Sequence, residues 1–322
     1  MSENIGRTVR LFLVDGTPSG LITAEIMNWT GHVLAGTRSG LPRFLERPEL
    51  DRTGVYFLTG RDPKDPDNAV VYIGESDNVR KRLAQHNKDD SKGFWERTCV
   101  VTSKDQNITK AHARYLEARL IAIAQEVGRA ALSNGTTPPP IALPEADQSD
   151  MQFFIEQIRL VMPVLGFEFL RSRPRITAPG IDEGQAPTSH YDSPLFELSS
   201  RKHGMRAQAR EVDAEFIVLA GSLANDTYTQ QGTSYSGYRK LHARLVEQGR
   251  LVPDKAGLLR FSEDIPFASP SAASAVIFGR ADNGRRSWCV VGKNITYSDW
   301  QETQVSETEP SICGTEESEN AA

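Results

Sequence analysis

Two short runs constrain this chain more than any other feature. Gly54-Val55-Tyr56-Phe57-Leu58-Thr59 and Ala69-Val70-Val71-Tyr72-Ile73-Gly74 are dense in β-branched and aromatic residues. Between them lies Gly60 to Asn68, a polar stretch holding Pro63 and Pro66. Strand-forming runs joined by turn formers predict an antiparallel hairpin, with Tyr56 and Tyr72 on adjacent strands. Glu75-Ser76-Asp77-Asn78 then reads as a helix N-cap, and Val79 to Asn87 as the helix, packed through Val79 and Leu83. Phe94 to Val101 reads as a third strand. Thr109 caps a longer helix reaching about Val127, with Ala113, Leu116, Leu120, Ile123 and Ala124 as its apolar stripe. Ser133-Asn134-Gly135 closes the region, and Pro138-Pro139-Pro140 stiffens the connection that follows.

The chain is 322 residues long, enough for two domains. Residues 1–50 hold short strand-like runs at Arg7–Val14 and Gly31–Ala35 and are expected to pack on the module at 51–135. A helix over Asp150–Met162 and a Pro/Gly-rich linker over 171–190 fill 136–193. A second α+β domain is expected at 194–300. Its elements are a strand over Arg210–Gly221, a helix over Ser236–Gln248, short strands near Val252 and Leu259, a helix opened by Pro270 and a strand over Arg286–Val291. Residues 301–322 are polar and acidic and are expected to form a disordered tail.

With 37 Lys/Arg against 42 Asp/Glu, the formal net charge is -5. The imbalance is uneven: residues 1–135 carry +2 and the remainder -7. A strongly basic nucleic-acid coat is excluded, but the first half is not electrostatically barred from a polyanion. No run of eighteen apolar residues is present, so no membrane span is expected, and the polar Met1–Arg10 lacks the apolar run of a signal peptide. Cys99, Cys289 and Cys313 are too dispersed for a disulfide framework or a zinc cluster, so a reducing, cytoplasmic setting is expected.

Five side chains in the first module have chemically suggestive spacing. Tyr56 and Tyr72 share the hairpin, and Arg82 and His86 lie four apart on one helical face. Glu117 has Ala113, Leu120 and Ile121 as helical neighbours, which sets a carboxylate on or beside an apolar stripe. An isolated buried carboxylate is costly and calls for a cation or a functional reason. A phenol, a guanidinium, an imidazole and a lone carboxylate together suit phosphodiester hydrolysis. Singly, each has an ordinary reading: structural strand tyrosines, a solvated Arg80-Lys81-Arg82 face, a capping or surface histidine, a glutamate paired with a nearby arginine. Composition and periodicity alone define a soluble α/β protein with a candidate phosphate site.

The ordered set resembles the GIY-YIG nucleases. Gly54-Val55-Tyr56 and Tyr72-Ile73-Gly74 look like the paired triplets of that family, with Val55 replacing isoleucine as the one departure. Arg82 follows Gly74 by eight residues within Asn78-Val79-Arg80-Lys81-Arg82-Leu83, His86 follows one turn later, and Glu117 stands in Tyr115-Leu116-Glu117-Ala118-Arg119-Leu120-Ile121. Asn134 matches a late asparagine. The resemblance spans about residues 52–135 and implies an α+β module with a small three-stranded antiparallel sheet flanked by helices. It further implies cleavage of a DNA phosphodiester with one divalent metal, Mg2+ or Mn2+. On that basis Tyr56 is the general base, Tyr72 orients water or phosphate, and Arg82 stabilises the transition state. Glu117 ligates the metal, His86 assists with phosphate positioning or proton transfer, and Asn134 braces the site. The base role requires a phenol brought well below its usual value of about 10.

Further on, Phe267-Ala268-Ser269-Pro270-Ser271-Ala272-Ala273-Ser274-Ala275 leads to Gly279-Arg280 and Asn283-Gly284-Arg285-Arg286-Ser287-Trp288. This is similar to a small domain of unknown function in bacterial proteins, often found behind GIY-YIG modules. Asn283-Gly284 reads as a tight hairpin turn. Trp288 reads as a core or interface aromatic, with base stacking as the functional alternative. The reading that follows is a metal-dependent DNA endonuclease whose C-terminal domain targets it. The alternatives are a DNA-binding or scaffolding protein that cleaves poorly, and a protein-interaction module whose residues 52–135 are only structural. A homodimer, or a partner protein bound through the C-terminal domain, is left open.

Overall fold

The computed structural model describes residues 6–63, 65, 68–135, 139, 141–172, 193–200, 204–212, 214–228, 236–254 and 257–308. Two compact units divide the chain, Asn4–Arg173 and Pro174–Ala322, the latter grouped with Met1–Glu3. No described helix is long and apolar enough to cross a membrane.

The first unit runs β1 (Val9–Leu13), β2 (Ile22–Ile26), β3 (Gly31–Thr37), α1 (Leu41–Leu45), β4 (Gly54–Arg61), β5 (Ala69–Ser76), α2 (Val79–Asn87), β6 (Trp95–Ser103), α3 (Lys110–Val127), β7 (Ala131–Leu132) and α4 (Glu145–Val164). The module's strands β6, β4 and β5 are neighbours, but they do not form the separate three-stranded sheet expected. The sheet's order is β1-β2-β3-β6-β4-β5-β7, seven strands. The physical reason is the outer edge of β6. It pairs with β3 from Gly31↔Ser103 to Thr37↔Arg97, and β3 is an apolar run that would otherwise leave an open edge. Residues 1–50 therefore build sheet rather than merely cover it. Every pairing is antiparallel except β5 with β7.

Strand alternation sorts the sheet into two faces. Val55, Phe57, Val71, Ile73, Cys99 and Val101 point to one side, under Leu116 and Leu120 of α3 and Ile155 and Ile158 of α4. Tyr56, Leu58 and Val100 point to the other, under Phe44 of α1 and Val79 and Leu83 of α2. The helix starts follow from their capping residues. Asn78 Oδ1 accepts from the Lys81 amide at 2.9 Å, and Thr109 and His112 form a reciprocal capping box on α3. Gly128, left-handed at φ 59°, ends α3.

The second unit runs β8 (Phe196–Ser200), β9 (Met205–Val212), β10 (Glu215–Val218), β11 (Leu223–Asn225), α5 (Ser236–Glu247), β12 (Leu251–Pro253), β13 (Leu258–Phe261), β14 (Ile265–Phe267), α6 (Pro270–Phe278), α7 (Gly284–Ser287), β15 (Cys289–Val290) and α8 (Tyr297–Thr308). Two sheets result, β14-β10-β9-β8-β15 and β11-β13-β12. Several expectations are corrected here. The strand expected over Arg210–Gly221 is a hairpin of β9 and β10, turned at Ala214 with φ 61°. Asn283-Gly284 starts a short helix instead of a hairpin turn. A Cβ on Gly284 would lie 2.2 Å from the Pro270 carbonyl carbon and oxygen, so this glycine serves close packing. The strand expected over Arg286–Val291 shrinks to Cys289–Val290. Residues 301–308 continue α8 instead of starting a tail, because Tyr297 and Trp300 anchor that helix against Phe196. Trp288 is fully buried against Phe216, its indole donating to Pro270 O at 3.1 Å, so it offers no face for base stacking. The Pro/Gly-rich linker beyond residue 172, Cys313 and residues 309–322 lie outside the described residues.

Candidate active site

The site forms where β5 runs out of a neighbouring strand. β7 pairs only with Val70 and Val71, and Ser133 N donates to Val71 O at 2.8 Å. One residue later the Asn134 side chain takes the place of a strand: its Nδ2 donates to Ile73 O at 2.7 Å and its Oδ1 accepts from Ile73 N at 3.1 Å. Beyond Ile73 the edge of β5 is open. There a cavity of about 450 Å³ is lined from three elements, with Tyr72, Glu75 and Ser76 on β5, Lys81, Arg82 and Gln85 on α2, and Lys110 and Glu117 on α3. The Glu75 backbone and carboxylate both act on the Glu117 carboxyl. Asn134 thus shapes the strand edge from outside the cavity wall.

Behind the cavity is a buried polar chain. Tyr56 is fully buried; its hydroxyl lies 2.8 Å from His86 Nε2 and accepts from Arg82 Nε at 3.4 Å. The Tyr72 phenol lies beside that of Tyr56, and Arg82 faces both. The three rings pack closely, Tyr56–Tyr72 at 6.1 Å, Tyr56–His86 at 5.6 Å and Tyr72–His86 at 5.1 Å between centroids. The packing depends on Gly74, because a Cβ there would lie 2.4 Å from Tyr56 Oη and 2.9 Å from Tyr72 Cε1. The glycine of the second triplet is thus required by the phenol of the first.

Titration behaviour separates the groups. Burial, reinforced by Tyr72, pushes the Tyr56 phenol far above its ordinary value, with Arg82 opposing. This is the reverse of the depression that a solvent-facing general base needs. Burial, aided by Arg82 and Lys92, pulls His86 down to about 4, so its imidazole is neutral at pH 7 and Nε2 shares a hydrogen bond with the Tyr56 hydroxyl. Burial first, and the like charge of Glu75 second, push the Glu117 carboxyl up to about 7. Of the six residues singled out from sequence, Tyr72, Arg82 and Glu117 line the cavity. Tyr56 and His86 stand behind it, and Asn134 supports β5.

Sequence reading missed Glu75, Lys81, Lys92 and Lys110. Period-two alternation could have found Glu75: it follows Val71 and Ile73 onto the α3 side of the sheet, toward Glu117. Lys92 Nζ sits 3.8 Å above the Tyr72 ring and donates to Ser133 O at 3.3 Å. Its place reflects the tertiary fold, and no local pattern marks it. Among the described residues no group of three or more His, Cys, Asp or Glu side chains is placed to hold a metal. The Glu75–Glu117 pair nonetheless suits a divalent cation. Glu75 Oε2 is buried without a hydrogen-bond partner, and its other oxygen meets Arg114 only at 3.6 Å.

The antiparallel β6-β4-β5 core sets the two tyrosine triplets side by side, with Arg82 and Glu117 lining the cavity at its edge. Residues 52–122 match the GIY-YIG catalytic domain, and residues 196–301 match a domain of unknown function, DUF4357. Both resemblances seen in the sequence are borne out. No curated protein and no solved structure matches the chain.

Proposed function

We propose that this chain is a metal-dependent DNA endonuclease in which Tyr72, Tyr56 and His86 form one proton path, with the C-terminal unit directing it to substrate. The observation carrying this reading is the phenol pair that ends on a neutral imidazole and opens beside Arg82 and Glu117. A phosphodiester placed in the cavity directs its phosphoryl oxygens to Arg82, with Lys81 adding charge. A water bonded to the Tyr72 hydroxyl attacks phosphorus. Its proton passes to Tyr72, that of Tyr72 to Tyr56, and that of Tyr56 to His86 Nε2. The bond from phosphorus to the leaving oxygen breaks, the leaving oxygen takes a proton from solvent, and a hydroxyl and a phosphate monoester result. Arg82 meets the added negative charge on the phosphoryl oxygens. Glu117, with Glu75 beside it, would hold Mg2+ or Mn2+, which when bound supplies Lewis-acid stabilisation to those oxygens. The base role shifts from Tyr56 alone to this path, since Tyr56 has neither solvent access nor a lowered pKa.

The test is chemical rescue. His86→Ala slows single-turnover cleavage by about 100-fold or more, and added imidazole restores it only where imidazole is neutral. An unchanged rate, or loss without rescue in a correctly folded protein, removes His86 from the path. One observation favours a second reading, a DNA-binding protein that cleaves poorly: the burial of Tyr56. That reading expects DNA binding with at most slow metal-dependent cleavage of every DNA form.

A further inference from the structure

The second unit is acidic in sum, and several of its described arginines are neutralised by carboxylates: Arg206 pairs with Glu197 at 2.6 Å, Arg250 with Glu263 at 2.8 Å and Arg260 with Asp254 at 2.5 Å. The stretch around α7 differs from these three, as does the exposed Arg239 on α5. Arg280, Arg285 and Arg286 fall within seven residues, all three are exposed, and none pairs with a described carboxylate. Their platform is firmly held. Gly284 presses on the Pro270 backbone, its amide donates to Ser271 Oγ at 3.1 Å, and the buried Trp288 indole donates to Pro270 O at 3.1 Å. The Arg280 guanidinium is steadied 5.3 Å from the Phe278 ring centroid. Exposed guanidinium groups without a carboxylate partner are available to an anion, although Asp282 lies in the same stretch and Arg285 acts on the Tyr297 hydroxyl. A guanidinium fork matches phosphate oxygens in two-point geometry, and a fixed turn loses little freedom when it binds.

We infer that the turn carrying Arg280, Arg285 and Arg286 is a docking surface for the phosphate backbone of duplex DNA. The inference rests on the nuclease reading for its choice of polyanion, but not on cleavage. The proposed contact is with phosphate charge, since the neighbouring Trp288 is buried and offers no ring for base stacking. It gives the C-terminal unit a direct part in holding substrate, separate from the cavity containing Glu117.

The test measures binding of the full chain to a fluorescein-labelled duplex of about 24 base pairs in EDTA, by anisotropy, from about 50 to about 250 mM salt. Three lost phosphate contacts make the slope of log K against log salt shallower by about 2.7 in the triple variant R280Q/R285Q/R286Q, and each single variant changes it by about 0.9. Arg260→Gln, which removes an arginine already paired with Asp254, leaves the slope at its wild-type value. Circular dichroism melting checks that each variant is folded, and the exposed single variants stand in if the triple variant is not. A slope unchanged in the folded variants overturns the inference, as does a wild type that does not bind duplex. Displacement of duplex by polyglutamate at equal charge concentration would also overturn it, assigning the surface to an acidic protein. Because no cleavage occurs in EDTA, these outcomes are independent of whether the chain is an active nuclease.

Discussion

Glu117→Gln separates the stability of this fold from its chemistry. The wild-type carboxyl is carried from its ordinary 4.5 up to about 7 by burial and by Glu75. A raised carboxyl pKa means that the folded state holds its proton more tightly than the unfolded chain does. Stability from this group is present below about pH 4.5, where both states are protonated, and is lost as pH rises toward and through about 7. Taken at face value the shift costs the ionised folded state about 3 kcal/mol; Glu117 is only partly buried, and screening leaves about 1–2 kcal/mol. His86 acts in the opposite sense: its pKa is lowered, so its contribution appears as pH rises from about 4 toward 6.5. The difference between wild type and Glu117→Gln cancels that common background. Urea unfolding at pH 5 and pH 8 should show the variant gaining on the wild type by about 1–2 kcal/mol over that interval. Mn2+ at pH 8 should raise the wild-type melting temperature and leave the variant's unchanged. A difference that does not vary with pH, or one that moves against the variant as pH rises, would refute a desolvated carboxylate at this position.

Three further perturbations probe the same architecture. Gly74→Ala drives a methyl to 2.4 Å from Tyr56 Oη; overpacking together with a broken buried hydrogen bond should cost about 2–4 kcal/mol by chemical denaturation, and a loss under about 0.5 kcal/mol would show that the two rings move aside freely. Tyr72→Phe keeps the ring and removes the hydroxyl facing the cavity, so single-turnover cleavage should fall by about 100-fold or more while duplex affinity stays within about threefold; parallel losses of both would make Tyr72 a binding residue. Trp288→Ala should destabilise the second unit by about 3–5 kcal/mol, and a DNA-binding defect without that loss would return Trp288 to a recognition role.

Much of the first unit is readable because its signals are local. Hairpin strands announce themselves through β-branched and aromatic runs, Asn78 and Thr109 through capping, and Arg82 and His86 through one-turn spacing. What escaped was set by distant parts of the chain. The pairing of β3 with β6 joins residues far apart in sequence, and no local pattern states that the edge of β6 will be covered. The β9–β10 turn was invisible because Ala214, not glycine, adopts the positive φ. Asn283-Gly284 misled in the other direction, since its glycine answers to the approach of Pro270 and not to a turn. Glu75 was within reach of strand alternation, whereas Lys92 over Tyr72 was not. The side chains named by the resemblance gather around one cavity, but burial decides which phenol lines it: Tyr72 does, and Tyr56 stands behind it.

Nicking of supercoiled plasmid tests the central claim most directly, with wild type, Glu117→Ala and Arg82→Ala compared in Mg2+, Mn2+ and EDTA. The account predicts nicking by wild type that depends on the metal, disappears in EDTA and is lost in both variants. Wild-type cleavage that persists in EDTA, or in a folded Glu117→Ala protein, would contradict it, as would inertness toward supercoiled, branched and single-stranded DNA alike.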